Sequence, residues 1–164
     1  MSKASKLAWS TRSEAERAAW ARRQLEGRVA NGTYAQNRKH GSWKAGWREI
    51  GGQRHYFRSR WEANYARYLE LLKSRGEIDK WEHEPETFWF DGIVRGTVSY
   101  LPDFRVTRRP GGIEYHEVKG WMDDRSRVKI KRFRAYYPLL KLIVIDGAAY
   151  KGISRIGCCI AGWE

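Results

Sequence analysis

Between residues 104 and 119 the chain has few ways to fold. Residues 104–107 and 113–119 are two runs rich in aromatic and β-branched side chains, and Pro110-Gly111-Gly112 separates them. Proline and glycine at such a point reverse the chain, so the two runs read as the strands of a hairpin-like unit. Side chains alternate between faces along a strand, which sends Glu117 and Lys119 one way and Val118 into the core. Asp103 follows Pro102 at the start of the first strand. The unit therefore sets two carboxylates and a lysine at one end of a strand pair.

A helical period precedes this unit. Trp61, Tyr65, Tyr68, Leu69 and Leu72 fall at helical spacings and predict a buried stripe on a helix over 59–75, ended by Gly76. Residues 78–90 read as extended, interrupted by Pro85, and residues 93–101 as a strand. A basic helix is expected over 124–136, closed by Pro138, then a β-branched strand over 141–145 and a short Ala/Gly segment. The succession is helix, about three strands, helix, strand. It predicts an α/β fold with a mixed sheet flanked by helices.

The N-terminal part is different. Thr11-Arg12-Ser13-Glu14 has capping-box spacing and opens a helix expected over 13–26, ended by Gly27. Residues 31–52 are rich in Gly, Lys, Arg and Trp without a period, and read as a loop or extended arm. Charge follows the same division. The 164 residues carry a net +13; residues 1–60 hold fourteen Lys/Arg against four Asp/Glu, and residues 61–164 hold eighteen against fifteen. We read residues 1–52 as a basic, partly helical arm and 53–164 as a folded domain. Such a balance calls for a polyanionic partner, and nucleic acid is the commonest.

Other classes are disfavoured. The first twenty residues lack an apolar stretch of the secretory kind, and no run approaches a membrane span. Cys158 and Cys159 are adjacent and are the only cysteines. They predict neither a disulfide framework nor a zinc set, and fit a reducing cytoplasm.

Asp103 and Glu117 offer hard oxygen ligands of the kind Mg²⁺ prefers. A bound metal polarises a scissile phosphate and lowers the pKa of an attacking water, while Lys119 orients that water or neutralises developing charge. Glu62 shares a helix face with Tyr65, Ala66 and Leu69. A carboxylate there needs a cationic partner if buried, or else lies solvated at the edge of the stripe. The plainer alternative for Asp103, Glu117 and Lys119 is a polar strand edge with a surface ion pair. Glu84, Glu86 and Asp91 are further possible ligands but read as solvated loop charges. His116 should face away from Glu117, and His40, His55 and His83 show no metal spacing.

Basic residues crowd the helix after the second strand: Arg125, Arg127, Lys129, Lys131, Arg132 and Arg134. The arm and its surroundings add Arg38, Lys39, Lys44, Arg48, Arg54 and Arg58, interleaved with Trp43 and Trp47. Positive charge with aromatics suits phosphate tracking and base stacking. The alternatives are a solvated helix face and tryptophans that pin the arm to the core.

Glu62, Pro102-Asp103 and Glu117-Val118-Lys119 together resemble the signature of the PD-(D/E)xK nuclease superfamily. A closer likeness runs from about residue 41 to 150. Phe57-Arg58-Ser59-Arg60-Trp61-Glu62, Tyr100-Leu101-Pro102-Asp103-Phe104 and His116-Glu117-Val118-Lys119-Gly120 resemble small phage-encoded nucleases, and the arrangement is similar to transposon-end endonucleases. The first forty residues lie outside the likeness. The resemblance implies a restriction-endonuclease-like core. It also implies Glu62, Asp103 and Glu117 as ligands of Mg²⁺, for which Mn²⁺ can substitute, and Lys119 as the catalytic assistant. The expected activity is that of a metal-dependent DNA endonuclease of phage or mobile-element type, a homodimer leaving 5′-phosphate and 3′-hydroxyl ends. Such an enzyme works in the cytoplasm, of a bacterial host if phage-encoded. Site-directed, homing-like cutting is the first expectation and structure-selective Holliday-junction resolution the alternative. A non-catalytic DNA-binding protein is the reading from another class, and an RNA-directed role is weaker still.

Overall fold

A computed structural model describes residues 45–164 together with Ser13, Glu16, Ala19, Arg22 and Arg23. The chain divides into two compact units, 1–42 and 43–164. In the first, Glu16, Ala19, Arg22 and Arg23 are helical. The capping box is formed by Ser13 and Glu16: Glu16 Oε2 accepts from the Ser13 amide at 2.8 Å, and Ser13 Oγ accepts from the Glu16 amide at 3.3 Å. Thr11 and Glu14, and the arm residues Arg38, Lys39, His40, Trp43 and Lys44, lie outside the described residues.

The second unit opens with a hairpin where a loop or arm is expected. β1 (Gly46–Ile50) pairs antiparallel with β2 (Gln53–Phe57). Gly51 and Gly52 join them at φ 63° and 75°, left-handed backbone that glycine adopts at no steric cost. α1 (Arg60–Ser74) follows, and Ser59 caps it by accepting from the Glu62 amide at 3.2 Å. Its stripe is buried as the period predicts: Tyr65, Leu69 and Leu72 lie in the core, with Trp61 and Tyr68 packed against it.

β3 (Ile78–His83), a two-residue pair β4 (Phe88–Trp89) and β5 (Ser99–Tyr100), β6 (Phe104–Arg108) and β7 (Ile113–Val118) come next. The strand expected over 93–101 thus shrinks to two residues. Val94 is 73% and Val98 37% exposed, so these two β-branched side chains cover little apolar surface, while Ile93 packs against the α2-side core. α2 (Asp124–Tyr136) is capped by Asp123, and β8 (Lys141–Ile145) follows it. The Ala/Gly segment after β8 is helical: Asp146 accepts from the Ala148 and Ala149 amides and starts α3 (Gly147–Ser154).

The main sheet has the order β3-β6-β7-β8, antiparallel except for the parallel β7–β8 pair, whose crossover is α2. Alternation sorts its side chains into two cores. Ile78, Phe104, Val106, Val118 and Ile145 pack with α1 and with Tyr150 of α3. Tyr115 and Leu142 pack on the other face with Ile130 and Phe133 of α2 and with Phe88, Phe90 and Tyr100. Each such side chain contributes roughly 1.5–3 kcal/mol on burial. The fold is therefore α/β, a mixed sheet flanked by helices. Among the described residues no helix is long and apolar enough to cross a membrane.

Candidate active site

The hairpin β6–β7 places the first two acids. Phe104 pairs with His116, so one step further along each strand Asp103 stands beside Glu117. Asp103 is 4% exposed, and its Oδ2 accepts from the Val118 amide at 2.8 Å, between Glu117 and Lys119. Burial, then the charges of Glu117 and Glu62, push its carboxyl well above the usual range. Its Oδ1 accepts no hydrogen bond among the described residues. Glu117 is equally buried. Its Oε1 meets Lys119 Nζ at 2.8 Å, and its Oε2 accepts from the Tyr100 hydroxyl at 2.8 Å. The pair thus joins a buried carboxylate to a half-buried lysine and is not a fully exposed surface ion pair.

Lys119 lies just past the end of β7. Burial lowers the pKa of its ammonium, but Glu117, Asp103 and Glu62 outweigh that and the net shift is upward. It is a cation at neutral pH, suited to neutralising charge and unsuited to taking a proton.

Glu62 comes from the first turn of α1 and is 8% exposed, so it is not solvated at the edge of the stripe. Its Oε2 accepts from the Arg58 amide at 2.8 Å and its Oε1 from Ser59 Oγ at 3.0 Å. Burial raises its pKa, opposed by Arg58, Ser59 and Lys119. Asp103 and Lys119 each feel the charges of both Glu62 and Glu117, which ties the four expected residues together electrostatically.

Three residues join the site beyond the four expected. Tyr100 orients Glu117. Glu84, read also as a solvated loop charge, is half-buried: its amide donates to the Asp103 carbonyl at 2.8 Å and its carboxylate pairs with Arg58. Among the described residues it is the only non-glycine with positive φ, at 47°. Burial raises its pKa, and Glu62 and Glu117 add to that against Arg58. The signal that finds it is the pairing of His83 with Phe104, which carries the next residue alongside Asp103. Lys129 is the third. It is half-buried, whereas Arg125, Arg127 and Lys131 on the same helix are exposed. Burial, then Lys119, lower its pKa.

Other expected residues are placed elsewhere. Glu86 accepts from the Tyr115 hydroxyl at 2.5 Å, and Asp91 is exposed. Arg48 forms two bonds to Glu164, at 2.6 and 2.7 Å. Arg127 pairs with Asp124, and Arg132 donates to the Thr97 carbonyl. Trp47 is 50% exposed and packs on Tyr56 and under Arg54 of its own hairpin, not into the core. His116 faces away from Glu117, with Nδ1 2.8 Å from the Tyr65 hydroxyl and Nε2 3.3 Å from Glu114.

Among the described residues no three His, Cys, Asp or Glu side chains stand close enough together to enclose a metal ion. Glu62 and Glu117 are each turned to protein donors, as described. In kind, the donor set of Glu62, Asp103 and Glu117 fits a hard divalent cation, since it is all oxygen and Asp103 Oδ1 is unengaged.

No curated protein matches the chain. Residues 43–152, a stretch that contains every residue of the site, match the model of a family described as protein of unknown function (DUF1064), and the chain belongs to that family.

Proposed function

We propose that this chain is a Mg²⁺-dependent DNA endonuclease of the PD-(D/E)xK kind, of phage or mobile-element type, hydrolysing phosphodiester bonds. One observation carries the reading. Asp103 is tied to the Val118 amide at 2.8 Å, which locks it against a strand end whose flanking residues, Glu117 and Lys119, are themselves paired. A surface with ordinary ion pairs has no need to bury three carboxylates around one lysine, because each buried charge costs several kcal/mol. Around the main sheet, the succession of α1, the strands β3, β6 and β7, then α2 and β8 supports the same reading.

Glu62, Asp103 and Glu117 would hold the metal, which when bound supplies Lewis-acid polarisation of the phosphate and an activated water. The protein's own groups do the rest. Tyr100 and Lys119 fix the Glu117 carboxylate from two sides. Lys119, held cationic, faces the charge that builds on the phosphoryl oxygens. The exposed cations of α2, Arg125, Arg127 and Lys131, supply backbone contacts beside the site. One site cuts one strand, so double-strand cutting needs a homodimer. Its place of action on this reading is the cytoplasm.

The test is cleavage of supercoiled plasmid and of a synthetic four-way junction, with Mg²⁺ or with EDTA, by wild type and Asp103→Ala. Metal-dependent cutting abolished by the substitution is the expected result, and the preferred substrate separates a site-directed cutter from a junction resolvase. Tight DNA binding with no cutting in Mg²⁺ or Mn²⁺ would overturn the enzyme and leave a DNA-binding protein.

A further inference from the structure

Trp121 lies two residues beyond Lys119, in the short connection from β7 to α2. It is 84% exposed, the most exposed aromatic ring among the described residues. Tryptophan is highly buried on average, and leaving its ring in water forgoes a large apolar gain. The connection around it is not loose. The Lys119 amide donates to the Ile145 carbonyl at 2.9 Å. Gly120 lies beside the Trp61 indole, at a distance where a Cβ would make ordinary van der Waals contact, 3.5 Å. Met122 packs against the α2-side core, and Asp123 Oδ1 accepts from the Ser126 amide at 2.7 Å. The backbone or side chain of Lys119, Met122 and Asp123 is held, and Trp121 is the large apolar side chain that this connection leaves in water.

A rigid turn that presents one large aromatic is preorganised to bind, since little freedom remains to be lost when the ring is covered. Its surroundings select the partner. The turn leads from the Lys119 side of the candidate site, past Asp123, which is spent on capping α2, and Asp124, which pairs with Arg127, to Arg125, Lys129 and Lys131. A protein partner offering an apolar pocket would find these cations unmatched. A nucleic acid offers phosphates for the cations and a base face for the ring.

We propose that Trp121 stacks on a base of the bound DNA next to the phosphate that is cut, and so sets where the strand lies over the site. This rests on the nuclease reading above and adds a residue that positions the substrate. Arg and Lys contacts fix the backbone without regard to base, whereas a stacked or inserted ring fixes a nucleotide step.

The test uses the full chain in EDTA, so that binding is read without cleavage. Duplex and four-way-junction DNA carry 2-aminopurine at successive positions, and anisotropy and 2-aminopurine emission are measured for wild type, Trp121→Phe, Trp121→Ala and Lys131→Ala. Trp121→Ala should bind about tenfold more weakly, the scale of one lost base stack. The loss should be the same at every salt concentration, whereas Lys131→Ala lowers the salt slope by about one unit. One 2-aminopurine position should respond to wild type and Trp121→Phe and not to Trp121→Ala. Wild-type affinity for Trp121→Ala, or an equal loss in Trp121→Phe, would overturn the proposal. So would sedimentation showing that Trp121→Ala splits a dimer while DNA affinity per protomer is unchanged. If the wild type cuts DNA and Asp103→Ala does not, such a result removes only the role of Trp121. If the wild type neither binds nor cuts, the nuclease reading falls and this one with it.

Discussion

Asp103 is placed at a cost to the fold. It is a buried carboxylate facing two others, and the repulsion is relieved only in part by Lys119. Asparagine keeps an oxygen for the Val118 amide and removes the charge, so Asp103→Asn should stabilise the metal-free protein by about 1 kcal/mol while abolishing cleavage. Urea unfolding checks the first half; a less stable variant with native circular dichroism would refute it. His83 gives a pH dependence of definite sign. Burial, then His55 and Arg58, push its pKa down to about 3. The unfolded chain takes up that proton near pH 6.5 and the folded one does not. Stability contributed by neutral His83 is therefore present above pH 6.5 and lost as the pH falls toward 3, at about 1.4 kcal/mol per unit. The fall in unfolding free energy from pH 7 to pH 5 should shrink by about 2 kcal/mol in His83→Gln. At this scale the sequence reveals residues whose signal is local: Glu62 by helical period, Asp103, Glu117 and Lys119 by strand spacing. Glu84 and Tyr100 depend on partners 26 and 17 residues away, Arg58 and Glu117, and no local pattern carries that information.

Elements divide the same way. α1 and α2 are legible because cap, period and stop all lie within the segment: Ser59 with Gly76 for one, Asp123 with Pro138 for the other. β1 is hidden because one of its inward positions holds Arg48, which is neutralised by Glu164, 116 residues on. Its alternation is thus real in the structure and invisible in composition. α3 contains two glycines and is short for a helix on propensity alone. Asp146 starts it, and Tyr150 holds it by stacking on Trp61, ring centroids 4.0 Å apart. The start of α1 joins fold to function most directly. Ser59 Oγ accepts from the Glu62 amide and donates to the Glu62 carboxylate. Ser59→Ala should lose about 1 kcal/mol from the cap. It should also lower cleavage, because Glu62 loses a donor, and Ser59→Thr should restore both. Full activity in Ser59→Ala with the expected loss of stability would separate the cap from the site.

For the molecule as a whole, the division between Ser42 and Trp43 predicts independence of the second unit. Among the described residues, both apolar clusters draw every member from residues 50–163. A chain of residues 43–164 should therefore unfold cooperatively, within about 5 °C of the full chain. Charge is another matter. Residues 1–42 carry nine Lys/Arg and three Asp/Glu, so their removal takes +6 from the net +13. If the basic N-terminal part grips DNA, the shortened chain keeps metal-dependent cutting at low salt and binds more weakly as salt rises. Its plot of log affinity against log salt should also be shallower, by about 0.9 for each phosphate that is no longer neutralised. The two effects are separable because folding free energy and salt slope are measured independently. An unchanged slope would mean that residues 1–42 neutralise no phosphates. A shortened chain without a cooperative transition would mean that the two units fold as one. The charge asymmetry is legible in the sequence at once. The division at Ser42 is not, because it depends on β1 pairing with β2 and bringing Ile50 into the α1-side core.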